Sequence, residues 1–234
     1  MIPLRDTVPS VRFPVITVAL IAANVLVFII QLTLNEAQLQ QFFLAWGIVP
    51  LRFTHPRLEA NYWTLLSSMF LHGGWMHIIG NMWSLWIFGD NVEDRMGRGW
   101  FLSFYVLSGL AAGFLHIVTN PTSRLPTVGA SGSIAGVMGA YLLLFPHATV
   151  VTLVPVFVFI QVMELPAILF LGIWFVSNLL SGLGSLGASS NAGGVAWWAH
   201  IGGFLVGILW ALWLRKKSLP RRYYDYDHEP TRWS

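Results

Sequence analysis

The side chains in this sequence best suited to nucleophilic chemistry belong to one serine and one histidine. Ser131 lies in GASG at 129–132, where a short apolar run begins, and His200 lies in AHIGG at 199–203 inside another apolar run. A serine becomes a nucleophile when a neighbouring base takes its proton, and a neutral imidazole suits that task. Gly129 and Gly132 leave room for a substrate carbonyl, and a helix N-terminus offers free N–H groups. The pair predicts acyl transfer if the two helices meet.

Both residues also have a simpler interpretation. A serine in an apolar helix usually bonds back to its own backbone, and a histidine can bond a neighbouring carbonyl only to hold helices together. GASG also differs from the Gly-x-Ser-x-Gly turn of soluble hydrolases, because Ser133 occupies its last position. Small residues four apart favour the functional interpretation, since they let two helices approach closely. The sequence has two such pairs, Gly132 with Gly136 and Gly203 with Gly207.

A third polar group precedes these two. His77 and Asn81 are four residues apart and therefore share one face of a helix. We predict that both donate hydrogen bonds to the oxyanion of a tetrahedral intermediate, together with the Ser131 N–H; the alternative is hydrogen bonding between helices. His72, a turn further out, is expected to brace the long segment before it. No Asp or Glu lies at this level, so a Ser–His dyad is predicted rather than a triad.

Composition indicates a membrane protein. Of the 234 residues, 56% are hydrophobic and 10% charged, whereas soluble domains carry about a quarter charged residues. The 12 Trp and 22 Gly suit membrane interfaces and close helix packing. We predict an all-α polytopic membrane protein whose six spans cover approximately 15–34, 69–88, 100–118, 131–145, 165–180 and 195–214. The first run is interpreted as a retained anchor, because it is long for a signal peptide and lacks a cleavage site.

The segments between the spans are also predicted. Residues 35–68 are aromatic but polar, which indicates an interfacial loop with short helices. Residues 147–164 contain Pro155 and are expected to form an interfacial connector, with a seventh span as the alternative. Residues 181–196 are rich in Gly and Ser and predict a mobile loop. The charged stretch 90–98 is expected to be a connector in which Glu93, Asp94 and Arg95 cap and tie the turn between spans two and three.

Six spans place both termini on one side, and the basic residues near them assign that side to the cytoplasm. Spans two, four and six then run inward, which brings His77, Asn81, Ser131 and His200 to similar depth near the outer face. The fourth span is roughly 22 Å long at about 1.5 Å per residue, shorter than a hydrocarbon core of roughly 30 Å. Ser131 is therefore predicted to lie below the membrane surface.

Several function classes are disfavoured. The absence of cysteine excludes disulfides, thiolate metal sites and cysteine nucleophiles. A metalloprotease using His72, His77 and His200 lacks a His-Glu-x-x-His motif. A transporter or channel would couple to protons or ions, but no carboxylate lies at membrane depth among the key residues. The basic tail could bind nucleic acid, but anchoring on the cytoplasmic side is the commoner explanation.

Four motifs in this order resemble the rhomboid family of intramembrane serine proteases: LHGGWMHIIGNM at 71–82, FGDNVED at 88–94, GASG at 129–132 and AHIGG at 199–203. The resemblance implies a six-helix bundle with a long, partly inserted first loop and a water-filled site open to the outside. It implies Ser131 as nucleophile, His200 as base, and His77 and Asn81 as oxyanion donors. It also implies that 181–196 caps the site. The family often has an aromatic residue one turn after the nucleophile to support the histidine ring, where this chain has Ala135.

The combined prediction is a serine endopeptidase that cleaves transmembrane segments of other membrane proteins near the outer side of the bilayer. It divides the chain into a cytoplasmic segment 1–14, a membrane domain 15–214 and a basic cytoplasmic tail 215–234. We expect no cofactor, no metal and no nucleic acid, with the lipid bilayer and transmembrane substrates as partners. A bacterial inner membrane is the expected location. The alternative is an inactive rhomboid-like protein that binds client helices.

Overall fold

The computed structural model describes residues 1–156, 159–185 and 195–216. This part of the chain forms nine α-helices, a short 3-10 turn over Ser68–Phe70 and one three-stranded sheet. The helices are α1 Val15–Leu32, α2 Glu36–Trp46, α3 Pro50–Thr54, α4 Thr64–Ser67, α5 Trp75–Met96, α6 Arg98–Thr119, α7 Ser131–Leu144, α8 Ala167–Ser185 and α9 Trp197–Lys216. The strands are β1 Ile2–Asp6, β2 Thr149–Val156 and β3 Phe159–Pro166.

Four helices of the described chain, α1, α6, α8 and α9, are long and apolar enough to cross a membrane. The fourth predicted span, α7, is apolar but only 14 residues long. The second, α5, has 22 residues and carries Asp90, Glu93, Asp94 and Arg95 in its last two turns. Large apolar side chains such as Leu26, Phe114 and Leu209 are more than half exposed on the outer surface of the helices. A polytopic membrane protein is therefore confirmed, whereas the count of six spans stays a prediction.

Helix α7 lies at the centre of the bundle. Every residue over 132–141 is buried, and the helix packs against α5, α6, α8 and α9. A helix that is apolar on all faces is stable only when it is enclosed by others. Ser131, the first residue of α7, therefore starts a helix that is held on all sides.

The expectation of a charged connector at 90–98 is wrong. The chain stays helical through Met96, and Gly97 alone separates α5 from α6. Gly97 has a φ of 82°, a left-handed conformation that glycine adopts without a steric penalty. Its N–H donates to the carbonyl of Glu93 at 2.7 Å, which satisfies one of the free carbonyls at the end of α5. A single residue thus joins two long helices.

The prediction of an all-α fold is also wrong in one region. Residues 147–164, expected to be an interfacial connector, supply β2 and most of β3, which pair antiparallel from Thr149–Pro166 to Val156–Phe159. The run over 149–154 is rich in β-branched residues, which favour strands, and Pro155 lies at the hairpin end, where its missing N–H matters least. The N-terminal strand β1 pairs with the other edge of β2, with Ile2 opposite Leu153. That pairing joins the beginning of the chain to its second half, which local pattern does not reveal.

Glu93 has a different partner from the one expected. Its carboxylate accepts hydrogen bonds from the backbone N–H groups of Ile16 and Thr17, at 3.0 and 2.8 Å, and from the Thr17 hydroxyl at 2.8 Å. These donors belong to the first turn of α1, so Glu93 caps α1 rather than the turn between α5 and α6. A carboxylate at a helix N-terminus also interacts favourably with the helix dipole.

Three further predicted segments are the stretch 35–68, which the structure describes in full, and the loop 181–196 and the basic tail, which it describes in part. Residues 35–68 contain the short helices α2, α3 and α4, the first begun by a capping box of Asn35 and Gln38, in which each side chain bonds the other's backbone. The predicted loop at 181–196 begins later than expected, because α8 continues to Ser185, and residues 186–194 lie outside the described chain. Of the basic tail, Arg215 and Lys216 end α9, and the rest is also outside it.

Replacement of Glu93 by Ala should lower the free energy of unfolding by about 1–3 kcal/mol, because it leaves three donors of α1 without their acceptor. Thermal unfolding in detergent measures this change. Glu59→Ala removes an exposed carboxylate and is the matched control. Equal unfolding midpoints for the two variants would contradict the capping role.

Asp6 provides a second test, at the end of the bundle opposite Ser131. Its carboxylate accepts hydrogen bonds from the Tyr141 hydroxyl at 2.6 Å and from the Asn91 amide at 2.7 Å. Burial raises the pKa of Asp6 to about 6; the Tyr141 hydrogen bond opposes this shift, and Asp90 adds to it. The folded state holds the proton more tightly than the unfolded chain does, so this carboxyl's contribution to stability is lost as the pH rises through about 6.

Asp6→Asn keeps an oxygen acceptor for both donors and removes the charge. Its unfolding midpoint should match that of the wild type near pH 4 and exceed it above pH 7. Thermal unfolding across this range measures the difference. A difference that does not depend on pH would show that the Asp6 charge is not responsible.

Candidate active site

Ser131 and His200 meet at one end of the bundle. Ser131 is the first residue of α7, and His200 lies in the first turn of α9. The His200 Nε2 lies 2.8 Å from the Ser131 Oγ, which is hydrogen-bond distance. His200 is buried and Ser131 is half-buried, so the contact is partly shielded from water. The arrangement is that of a serine hydroxyl facing a base able to remove its proton.

Glycines make this approach possible, as the sequence predicted. A side chain added at Gly203 would collide with the carbonyl of Gly132, and one at Gly207 would collide with the carbonyl of Gly136. A third contact of this kind joins Gly139 to the backbone of Phe204. The backbones of α7 and α9 therefore touch along two turns, with no side chain between them. This close packing fixes the separation of Ser131 and His200.

The second nitrogen of His200 contacts a residue that the sequence reasoning missed. His200 Nδ1 lies 2.7 Å from the Oδ1 of Asn178 in α8, a residue that is 4% exposed. The Asn178 Nδ2 donates to the Trp174 carbonyl at 2.7 Å. Because a carbonyl oxygen only accepts, the amide NH₂ must face Trp174 and the amide oxygen must face His200. The one signal in the sequence was an amide side chain inside an otherwise apolar span.

The walls around the His200 ring are aromatic and come from α8 and α9. The Trp174 ring lies 5.7 Å from it, centroid to centroid, at 33°, and Trp197 lies edge-on at 6.3 Å and 89°. Ala135, one turn after Ser131, is fully buried and has no ring to offer. The support that the family resemblance places on α7 therefore comes from a different helix in this chain.

His77 faces the same small space as Ser131. An atom added to the Cα of Gly129 would lie 2.6 Å from the His77 Nε2 and 3.6 Å from the Ser131 Oγ. Gly129 has a φ of 130°, and its N–H donates to the Ser68 carbonyl at 2.8 Å. Only glycine fits this conformation beside an imidazole ring. The bend at Gly129 therefore brings His77 and Ser131 together.

Asn81 is held by His72. The Asn81 Nδ2 lies 2.9 Å from the His72 Nε2, which leaves the second N–H of the amide for another acceptor. The His72 ring also packs edge-on against His77, 5.0 Å between centroids. We expected His72 to brace residues 35–68, but its hydrogen bonds run to Asn81 and to Gln31 of α1. Gln31 bonds both the N–H and the carbonyl of His72, at 3.0 and 2.7 Å.

A small cavity lies beside Ser131. Its lining includes glycines and small side chains such as Gly109, Ala112, Gly129, Gly132 and Ala199, together with the larger side chains of Ile48, Met69 and Val128. The lining leaves room next to the serine hydroxyl for a group of modest size. A bulky side chain would not fit without movement of these helices.

The match to known proteins agrees with this geometry. A family model of the rhomboid domain matches residues 59–217, more than half of the chain. The chain belongs to the rhomboid family. The matched region includes α5 to α9 and every polar residue of this site except Gln31.

Individual rhomboid relatives come from mitochondria and from bacteria. "Rhomboid protein 1, mitochondrial" of Saccharomyces cerevisiae is 29% identical over 167 residues, covering 68% of this chain and 45% of the relative. "Presenilin-associated rhomboid-like protein, mitochondrial" of Homo sapiens is 27% identical over 222 residues, covering 88% and 52%. "Rhomboid protease GluP" of Bacillus subtilis is 37% identical over 84 residues, covering 36% and 16%. The chain thus spans about half or less of each relative. The mitochondrial relatives give the expected bacterial inner membrane no support.

The glycine contact between α7 and α9 gives a direct test. Gly203→Ala should lower the free energy of unfolding by about 1–3 kcal/mol, since the new methyl group meets a backbone carbonyl that cannot move aside. It should also slow the reaction of Ser131 with a fluorophosphonate, because α9 carries His200 away from α7. Gly172→Ala in α8, where an added methyl group meets no atom within 4 Å, is the control. Similar behaviour of the two variants would contradict the proposed role of the contact.

Proposed function

We propose that this rhomboid protein is an intramembrane serine endopeptidase with Ser131 as nucleophile and His200 as base. The observation that carries the proposal is the 2.8 Å contact between the Ser131 Oγ and the His200 Nε2, inside the bundle and at the N-terminus of α7. A serine that served only for packing would bond its own helix backbone. The Ser131 hydroxyl faces a base in another helix instead.

The reaction follows from the positions of these atoms. His200 Nε2 takes the proton of Ser131 Oγ as the oxygen attacks a peptide carbonyl, and the same nitrogen returns the proton to the leaving amine. A water molecule, deprotonated in turn by His200, then hydrolyses the acyl-enzyme and regenerates the free hydroxyl. The negative charge on the tetrahedral intermediate is stabilised by the Ser131 N–H and by donors from His77 and Asn81. No step requires a cofactor or a metal.

A metalloprotease is less consistent with these contacts. Both ring nitrogens of His200 lie at hydrogen-bond distance from other side chains, Asn178 and Ser131. A metal bound there would have to displace one of them. The described residues contain no group of three or more His, Asp or Glu placed to hold a metal ion.

The substrates of this proposal are transmembrane segments of other membrane proteins. The carbonyl groups of a helix are already hydrogen-bonded, so a segment must unwind locally before Ser131 attacks it, and glycine near the outer end makes unwinding less costly. The small cavity beside Ser131 favours a small side chain next to the cleaved bond. The proposal keeps the membrane domain at 15–214. Segments 1–14 and 215–234, which precede and follow it in sequence, both lie in the cytoplasm.

Ser131→Ala should abolish cleavage of a reporter membrane protein in liposomes. The reporter carries a glycine-containing transmembrane helix with a tag at each end, and immunoblotting detects the fragments. Ser103→Ala is the matched control, because Ser103 is exposed and bonds only the Gly99 carbonyl of its own helix. Cleavage by Ser131→Ala would contradict the proposal. Co-purification of an intact reporter with a wild type that cuts nothing and does not react with a fluorophosphonate would identify the inactive binding protein.

Asn81→Ala should lower kcat for the same reporter by about 100-fold, the loss typical for removal of one oxyanion donor. KM should change little, because the donor acts mainly in the transition state. The labelling rate with a fluorophosphonate should fall in parallel, since that reaction also develops negative charge on oxygen. A rise in KM with kcat unchanged would assign Asn81 to substrate binding instead.

A further inference from the structure

Asn178 belongs to α8, whereas the proposed reacting groups Ser131, His200, His77 and Asn81 lie in α7, α9 and α5. It is 4% exposed in an apolar helix, where an unpaired amide would be costly. Its two ends have different partners: Nδ2 donates to the Trp174 carbonyl, and Oδ1 faces His200 Nδ1, each at 2.7 Å. The amide is therefore fixed at both ends.

This fixation determines where the proton of the neutral His200 ring resides. The Asn178 Oδ1 carries no hydrogen, so a hydrogen bond to His200 requires the proton on Nδ1. Nε2 then has a free lone pair, and it is Nε2 that faces the Ser131 hydroxyl at 2.8 Å. The opposite tautomer would leave Nε2 as a donor and unable to accept the serine proton.

We propose that Asn178 is a positioning residue that sets the tautomer and ring orientation of His200, while Ser131 and His200 remain the two groups that exchange the proton. A serine or cysteine, a histidine and an orienting third side chain recur on unrelated folds, with asparagine as the third member in some. The inference rests on the proposed function of Ser131 and His200.

The same helix supplies the ring support that α7 lacks. Trp174, one turn before Asn178, places its indole 5.7 Å from the His200 ring, and its carbonyl holds the Asn178 amide. Helix α8 thus contacts His200 twice, through the Trp174 ring beside the imidazole and through the Asn178 amide at its Nδ1. Since Ala135 offers only a methyl group, the ring of His200 is held by α8 and by Trp197 of its own helix.

The tautomer can be measured without catalysis. Protein labelled with ¹⁵N-histidine gives an NMR signal for each ring nitrogen, and the His200 signals are those lost in His200→Gln. In the wild type we expect a protonated, pyrrole-type Nδ1 and an unprotonated, pyridine-type Nε2. The opposite assignment in the wild type would overturn the proposal by itself, whether or not any variant folds.

Three variants distinguish the role of the Asn178 Oδ1 as a hydrogen-bond acceptor from the role of its contact with the Trp174 carbonyl. Asn178→Leu removes the acceptor, so both tautomers should appear and the rate of fluorophosphonate labelling at Ser131 should fall about 100-fold. Asn178→Asp keeps an acceptor for Nδ1 and should retain the wild-type tautomer and much of the rate. Ser177→Ala is the matched control, since Ser177 is exposed and donates to the same Trp174 carbonyl at 2.7 Å without contacting His200.

The outcomes distinguish this inference from the proposed function. A wild-type tautomer and labelling rate in Asn178→Leu would overturn the positioning role and leave the protease assignment intact. If the wild type is not labelled, the protease assignment is contradicted. If its His200 is nevertheless protonated on Nδ1 and loses this preference in Asn178→Leu, the positioning role is supported. A loss of rate in Ser177→Ala equal to that in Asn178→Leu would assign the effect to the Trp174 carbonyl and overturn the proposal.

Discussion

The direct contact of two helix backbones, α7 and α9, is the constraint on which the rest of the structure depends. Gly203 and Gly207 lie against the carbonyls of Gly132 and Gly136, so no side chain separates the two helices. In a membrane, helices associate through close van der Waals packing rather than through exclusion of water from apolar surface. The same contact that stabilises the centre of the bundle therefore brings Ser131 and His200 to hydrogen-bond distance.

Two polar side chains at this end, His200 and Asn81, are each held by another that takes no part in the proposed chemistry. Asn178 holds His200, and Gln31 holds the backbone of His72, whose ring bonds Asn81. A buried hydrogen bond in surroundings of low polarity is strong, and an unpaired donor or acceptor is costly. These pairs fix the orientation of the reacting groups before a substrate arrives, which lowers the cost of reorganisation during the reaction.

The opposite end of the bundle is organised by carboxylates and a small sheet. Glu93 caps α1, and Asp6 at the end of β1 accepts hydrogen bonds from α5 and from Tyr141 of α7. Helix α7 is thus tethered at its far end by the N-terminal strand, while its first residue carries the hydroxyl of the site. The long segment 35–68 packs beside α6 through α3 and α4 and joins the loop before Ser131 at the Ile48–Thr127 bridge.

The sequence alone determined the membrane class, placed the long helices other than α5 to within about five residues, and singled out the polar residues of the site except Asn178 and Gln31; α5, Trp75–Met96, begins and ends well after the predicted span 69–88. Apolar runs, glycines four apart and polar residues inside spans are local patterns, and a bilayer makes local patterns decisive because every span must satisfy its own backbone. Tertiary structure decided the partners. The pairings of Asn178 with His200, Glu93 with Thr17 and β1 with β2 join segments that are distant from each other in the sequence. Which face of α8 meets α9, and which helix end meets Glu93, depends on how the helices rotate and pack against one another, and no short window of sequence contains that information.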